Sequence, residues 1–382
     1  MNILTISTRF YPSVGGVETT SWETVRGLAE YGHNVVAMAS NVNTVNPRSI
    51  LERLDKVCGI DIYRFRNIVP SFIDRNGALG FVTPGLTLRL PEILRKYSIN
   101  IIHSHGYGFY PSYGVLPMIL SKRIPWVVTA STSPETPLPR FLYDRIIGRL
   151  ILRRADRIIV QTELERKFLL EMGAEQDKVV ILPGGVYSEI PHVSTPSQRI
   201  SDIVSGDPFI LYVGRLAPNK GIDLLIRAYH SIAKKIFGIK LVLAGQDAGI
   251  KDEIIRLLHD LDLEERVFLT GFVDQNDLHW LYRSTIFFCS PSTYGEAQNM
   301  TAAQALAYGK PVIVSDTGGM GDFYHDIEGA IVVRKRHLED LISAMAYLID
   351  NHKEIRIKQK KKVLYTWEEV ATATEHLYEE LL

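Results

Sequence analysis

Two stretches in the second half of the chain combine residue types that bind anions and hydroxyls. The first, Gly214-Arg215-Leu216-Ala217-Pro218-Asn219-Lys220-Gly221, lies between an apolar run and a helical pattern, so unpaired backbone N–H groups and a helix dipole would sit beside two cations. It has neither a Walker spacing nor a Gly-x-Gly-x-x-Gly, which argues against an NTPase and a dinucleotide fold. An anion cradle and a surface turn with solvated Arg215 and Lys220 both fit these residues. The second stretch runs from Pro291 to Met300 and includes Glu296, Ala297, Gln298 and Asn299, with Gln304 in the helix that follows. A carboxylate at that place accepts hydroxyl donors well, or it simply complements the helix dipole.

Further candidates lie in the first half. His103 and His105 follow an apolar run and precede Tyr107, Phe109, Tyr110 and Tyr113, a cluster that reads as core more readily than as an aromatic binding surface. Between Arg140 and Arg157 six arginines interleave with Phe141, Leu142, Ile146, Ile147, Leu150, Ile151 and Leu152. Such a helix either lies on an anionic membrane or, the reading favoured here, packs its apolar face inward. Asp260-Leu261-Asp262 falls at a helix end, where it reads as surface charge rather than a metal site.

The elements that must position these residues follow a strand, loop, helix rhythm. Short apolar runs are predicted as strands at Ile3 to Ser7, Val35 to Ala39, Ile99 to His103, Trp126 to Thr129, Ile158 to Gln161 and Val179 to Leu182. A helix from Val17 to Tyr31 follows a loop with Gly15 and Gly16. Ile190 to Pro208 lacks a hydrophobic period and reads as a linker or a long surface loop. The pattern then restarts with strands at Phe209 to Val213, Lys240 to Ala244, Thr285 to Ser290 and Pro311 to Ser315, and helices at Ile222 to Lys235 and Thr301 to Tyr308. The expected fold class is α/β, two Rossmann-like domains with parallel sheets, over residues 1–190 and 191–365.

At 382 residues, 46% hydrophobic and 23% charged, the chain can bury two cores. Lys plus Arg (43) equal Asp plus Glu (43), so no global field attracts nucleic acid, and any pull toward a membrane must be local. Cys58 and Cys289 have no paired spacing, which argues against a zinc site or a disulfide framework. With no signal-like or membrane-spanning segment, a cytoplasmic location is expected.

Several motifs together resemble the retaining glycosyltransferases of family 4, also called group 1: Gly214-Arg215 with Lys220-Gly221, Pro291-Ser292, Glu296 and Gly309-Lys310-Pro311-Val312. Tyr11-Pro12-Ser13-Val14-Gly15-Gly16-Val17-Glu18, Phe268-Leu269-Thr270-Gly271-Phe272-Val273 and Trp367-Glu368-Glu369-Val370-Ala371 extend the resemblance over almost the whole chain. It implies the GT-B arrangement, two facing domains and a cleft, with a C-terminal helix, 366–382, returning to the first domain. The implied activity is metal-independent, cofactor-free transfer of a sugar from a nucleotide diphosphate donor, UDP- or GDP-linked, to a glycan, a glycolipid or a small molecule.

By the same resemblance, Arg215, Lys220 and Glu296 are the catalytic residues, the two cations holding the diphosphate and Glu296 the transferred sugar. Gly15, Gly16, Phe272, Val273, Ala297, Gln298, Asn299, Met300 and Gln304 complete the implied donor site, and His105, Tyr107 and Ser131 stand on the acceptor side. The chain departs from the family at three places. Gln304 stands where a second glutamate is usual, Ala297-Gln298-Asn299 replaces Gly-Phe-Gly, and Ser131 occupies the position of a common histidine. Ser131 and Gln304 motivate an alternative, a non-catalytic nucleotide-sugar binder. A nucleotide-sugar epimerase needs the same diphosphate grip and is a further alternative.

Overall fold

The computed structural model describes residues 1–43, 50–68, 82–121, 123–132, 144–188, 195–233, 238–351 and 364–382. The chain divides into two compact units, Met1–Gly185 with Tyr365–Leu382, and Val186–Leu364.

Among its described residues the first unit holds eight strands: β1 (Asn2–Ile6), β2 (Asn34–Ser40), β3 (Leu54–Val57), β4 (Ile60–Phe65), β5 (Ile101–His105), β6 (Trp126–Thr129), β7 (Arg157–Val160) and β8 (Val179–Ile181). Their order is β3-β4-β2-β1-β5-β6-β7-β8, parallel except for the β3–β4 hairpin. Strand order reverses between β1 and β5, the switch point outside which ligands collect in open α/β sheets. Val, Ile and Leu fill these strands because helices cover both faces, and Leu4, Ile6, Val36, Ile102 and Val128 share one core.

The opposite face of this sheet is more polar. His103 sits between the Tyr378 hydroxyl, 2.6 Å from Nδ1, and the Thr129 hydroxyl, 2.7 Å from Nε2. His105 Nε2 lies 3.1 Å from the Thr5 hydroxyl, and the two rings face each other at a tilt of 31°, with centroids 4.1 Å apart. Burial drives both imidazoles far below the usual histidine range, His105 to about 3, so both are neutral near pH 7.

Tyr378 belongs to the helix Trp367–Glu379, which starts with a full capping box between Thr366 and Glu369. This helix packs on the helix Gly16–Glu30 so closely that a Cβ on Gly27 would lie 2.6 Å from that of Ala371. Gly185 meets the Trp367 ring in the same way, at 2.7 Å.

The second unit carries β9 (Phe209–Val213), β10 (Lys240–Ala244), β11 (Val267–Gly271), β12 (Phe287–Ser290), β13 (Val312–Asp316) and β14 (Ala330–Arg334). The order is β11-β10-β9-β12-β13-β14, all parallel, with the reversal between β9 and β12. Two cores flank it, one around Ile226, Tyr229 and Leu241, the other around Leu211, Phe288 and Val314.

Several boundaries differ from those expected. β5 starts at Ile101, because Ile99 is still closing the turn after the helix Pro84–Lys96, its N–H donating to Leu94 O, and only at Asn100, whose N–H donates to Asn2 O of β1, does the chain reach the sheet. The stretch expected to be a linker or a long surface loop contains the helix Gln198–Val204, held by the buried pair Ile200 and Val204. One turn of spacing between two apolar residues is too little to register as a period.

Replacing Gly27 by Val should cost about 1–3 kcal/mol of stability, the usual penalty for overfilling a packed contact. Chemical denaturation measures it, and adding Ala371→Gly should restore part of the loss.

Candidate functional site

The reversal in the second sheet puts the loops after β9 and β12 side by side, and these are the two stretches singled out by residue type. They are joined by their backbones. Thr293 N–H donates to Asn219 O at 2.8 Å, and Gly221, at φ +65°, leaves no room for a side chain, since a Cβ would lie 2.0 Å from Pro291 O. Only glycine satisfies both the left-handed backbone and that approach.

The loop after β9 is braced from its other side as well. Leu216 N–H donates to Gln246 O and Ala248 N–H to Leu216 O, 2.8 and 2.9 Å, while the Tyr212 hydroxyl donates to Arg215 O at 2.9 Å. This scaffold brings Lys220 into an ion pair with Glu296, whose same oxygen accepts from the Ser292 hydroxyl at 3.1 Å. Lys220 is mostly buried and Arg215 exposed. Burial first, then repulsion from Arg215, pushes the Lys220 ammonium down to about 8.

Glu296 is itself fixed through its backbone. Its carbonyl accepts from Gly319 N–H at 2.8 Å and abuts Gly318, where a Cβ would lie 1.9 Å away. Downstream, Asn299 takes the left-handed conformation and caps the helix Met300–Ala307, its Oδ1 accepting from Ala302 N–H at 3.1 Å and its Nδ2 donating to Ser290 Oγ at 2.8 Å. Thr301 Oγ donates to Val213 O at 3.1 Å, pinning the start of this helix to β9. A cation pair, a carboxylate and a helix N-terminus thus converge on one sheet edge, an arrangement able to hold an anionic group next to a polyol.

The remaining candidates are placed as follows. Ala297 and Met300 are half-buried and Gln298 is buried, all beside Glu296 and Asn299. Phe272 and Val273 leave β11 on the same edge, two strands from β9, with Phe272 exposed and Val273 half-buried. Gln304 is buried, and its Oε1 accepts from Tyr187 N–H at 3.0 Å, while its amide Nε2 is enclosed with no hydrogen-bond partner among the described residues.

In the first unit Gly15 and Gly16 open the helix Gly16–Glu30, and the buried Glu18 carboxylate folds over Gly15 and pairs with Arg9, 2.5 Å away. A Cβ on Gly16 would meet nothing within 4 Å. His105 and Tyr107 are both fully enclosed, Tyr107 within the hydrophobic core. Ser131 is half-buried and carries a positive φ of 46°.

One residue near Ser131 escaped the sequence reading. Glu165 is almost completely buried, and its two oxygens accept from Thr132 N–H and Gln161 N–H, both at 2.6 Å, tying the loop after β6 to the end of β7. Burial pushes its carboxyl up to about 7, against the pull of those amide donors. The signal was present as Thr162 and Glu165, the spacing of a capping box; here the carboxylate reaches past its own helix. Among the described residues no group of three or more His, Cys, Asp or Glu gathers as metal ligands, and no helix is long and apolar enough to cross a membrane.

A family model for group 1 glycosyl transferases matches residues 194–363, and one for a glycosyl transferase 4-like domain matches 15–185. The chain belongs to the group 1 glycosyltransferases. Its fold is GT-B: it resembles sucrose-phosphate synthase from Thermosynechococcus elongatus with a TM-score of 0.80 at 20% identity, over 100% of this chain and 99% of that one. Anabaena Alr3699/HepE, solved in complex with UDP-glucose, gives 0.72 at 18% identity, over 100% and 99%. Among curated relatives, D-inositol 3-phosphate glycosyltransferase of Nocardia farcinica is 26% identical over 288 residues, 69% of this chain and 63% of that protein. The chain therefore spans somewhat less than two thirds of that relative's length.

Gly221→Ala should cost at least about 2 kcal/mol, since a left-handed alanine alone costs roughly 1–2 kcal/mol and the approach to Pro291 O adds to it. A melting curve showing wild-type stability would mean that the two loops are not held as described.

Proposed function

We propose that this glycosyltransferase moves a hexosyl group, with retention of anomeric configuration and without a metal ion, from a UDP- or GDP-sugar to a carbohydrate or lipid-linked acceptor. The observation that carries the proposal is the mostly buried Lys220, paired with Glu296 and beside Arg215, at the switch point of the second sheet. The UDP-glucose bound by the Anabaena neighbour supports the donor class. Both cysteines are free thiols, which suits a reducing cytoplasm.

In this mechanism the bond between the anomeric carbon and the diphosphate oxygen breaks and negative charge grows on that oxygen. Arg215, Lys220 and the loop amides stabilise that charge, the work a divalent cation does elsewhere. The acceptor hydroxyl attacks from the face the diphosphate is leaving, and its proton passes to the departing oxygen. Glu296 accepts hydroxyls of the transferred sugar and orients it. Gln304, a neutral amide, contacts the nucleoside side of the donor by donating rather than accepting.

Lys220→Ala should lower kcat by about a hundredfold or more, the scale of one lost charge-stabilising donor, roughly 3 kcal/mol. Turnover equal to wild type would remove Lys220 from the mechanism, and loss of turnover on adding EDTA would contradict metal independence. The ammonium is charged below about 8 and neutral above it. For the free enzyme, kcat/KM for the donor should therefore fall as pH rises through that value, and Lys220→Arg should move the fall to higher pH. A panel of UDP-, GDP- and ADP-sugars in thermal-shift assays identifies the donor by the rise in melting temperature.

A further inference from the structure

The sequence favours a helix between Arg140 and Arg157 that packs its apolar face inward; residues 140–143 lie outside the described residues. For the rest the structure divides the apolar side chains. Ile151 and Leu152 are buried, but Ile146, Ile147 and Leu150 face outward, at 69%, 36% and 37% exposure. Arg145, Arg149, Arg153 and Arg154 are exposed among them. No acidic residue occurs between Arg145 and Ala155, and among the described residues Arg149 and Arg153 form no ion pair, unlike Arg157, which pairs with Glu380.

Segment 145–154 is an irregular turn at Asp144–Gly148 followed by the helix Arg149–Arg154. Arg149 and Arg153 are one helical turn apart, and Arg154 donates to Ile119 O at 2.8 Å, fastening the segment to the helix Leu116–Ser121, whose Leu120 is also exposed. Guanidinium groups and branched aliphatic side chains therefore share one outward face in a chain whose total charge is zero.

We infer that this face seats the protein on an anionic lipid bilayer. Phosphate headgroups satisfy the guanidiniums bidentately, while Ile146 and Leu150 reach the boundary between headgroups and acyl chains. A nucleic acid backbone would satisfy the arginines yet leave the aliphatic side chains in water. The inference goes beyond the donor chemistry and does not need it, since the face belongs to the first unit and the donor loops to the second.

The test is co-sedimentation of the whole chain with phosphatidylcholine vesicles, with and without phosphatidylglycerol, over a salt series. Binding is expected with the anionic lipid only, weakening as salt rises. Each arginine near such a surface is worth roughly a fivefold change in partitioning, so Arg149→Gln with Arg153→Gln should weaken binding by about 25-fold. Ile146→Ser with Leu150→Ser should weaken it too, at an unchanged melting temperature. Equal binding to both vesicle types, or wild-type binding by the arginine variant, overturns the inference. Retention on heparin without vesicle binding overturns it in favour of nucleic acid, and a dimer dispersed by the Ile146/Leu150 variant without vesicle binding overturns it in favour of self-association. The thermal shift given by a nucleotide sugar should be the same in all variants, so failure of the donor assignment is read separately.

Discussion

A mostly buried lysine is the constraint around which the second unit is organised. Taking an ammonium out of water is costly unless an opposite charge and good geometry compensate, and here the compensation comes from Glu296, reached across two loops. Those loops must therefore be held to within a fraction of an ångström. The Thr293 to Asn219 backbone bond, the side-chain-free approach at Gly221 and the contact of Gly318 with the Glu296 backbone do this. Because the fixing groups are backbone atoms, the site keeps its form even though its side chains are long.

The two units solve one topological problem with different chemistry. Each has a parallel sheet whose order reverses beside its first strand, between β1 and β5 or between β9 and β12. At the second reversal the charges keep some access to solvent, Arg215 as an exposed residue and the mostly buried Lys220 and Glu296 in part, and meet at a sheet edge. At the first, His103 and His105 are sealed with threonine and tyrosine hydroxyls and held neutral, and Glu18 already occupies the turn of Gly15 with Arg9. Burial separates a polar group that organises a core from one that can meet a ligand.

Much of this was legible in the sequence where a single physical rule dominates. β6, β9 and β10 fall where apolar runs predict them, because strands buried on both faces leave an uninterrupted signature. The β3–β4 hairpin was not seen: its residues alternate weakly, and its turn, Cys58-Gly59, takes positive φ at both residues, which only Gly59 advertises. The pairing of Lys220 with Glu296 follows from sheet order, which residue spacing does not encode. Glu165 was missed for a similar reason, since one of its partners is an amide on another strand's loop. The arginine-rich segment meets its expectation only in part: Ile151 and Leu152 pack inward, but a helical period cannot say that Ile146 and Leu150 turn outward where the turn before the helix departs from α geometry.

The helix Trp367–Glu379 completes the first unit but is made only after the whole of the second, residues 186–364. At ribosomal speeds that is a delay of roughly 10 to 40 s. During it Gly27 and His103 lack the surface that covers them, and the nascent first unit exposes a polar, incompletely packed face. Closure of that face is thus a late, vectorial event that requires the intervening unit to leave its two ends close enough for the helix to dock.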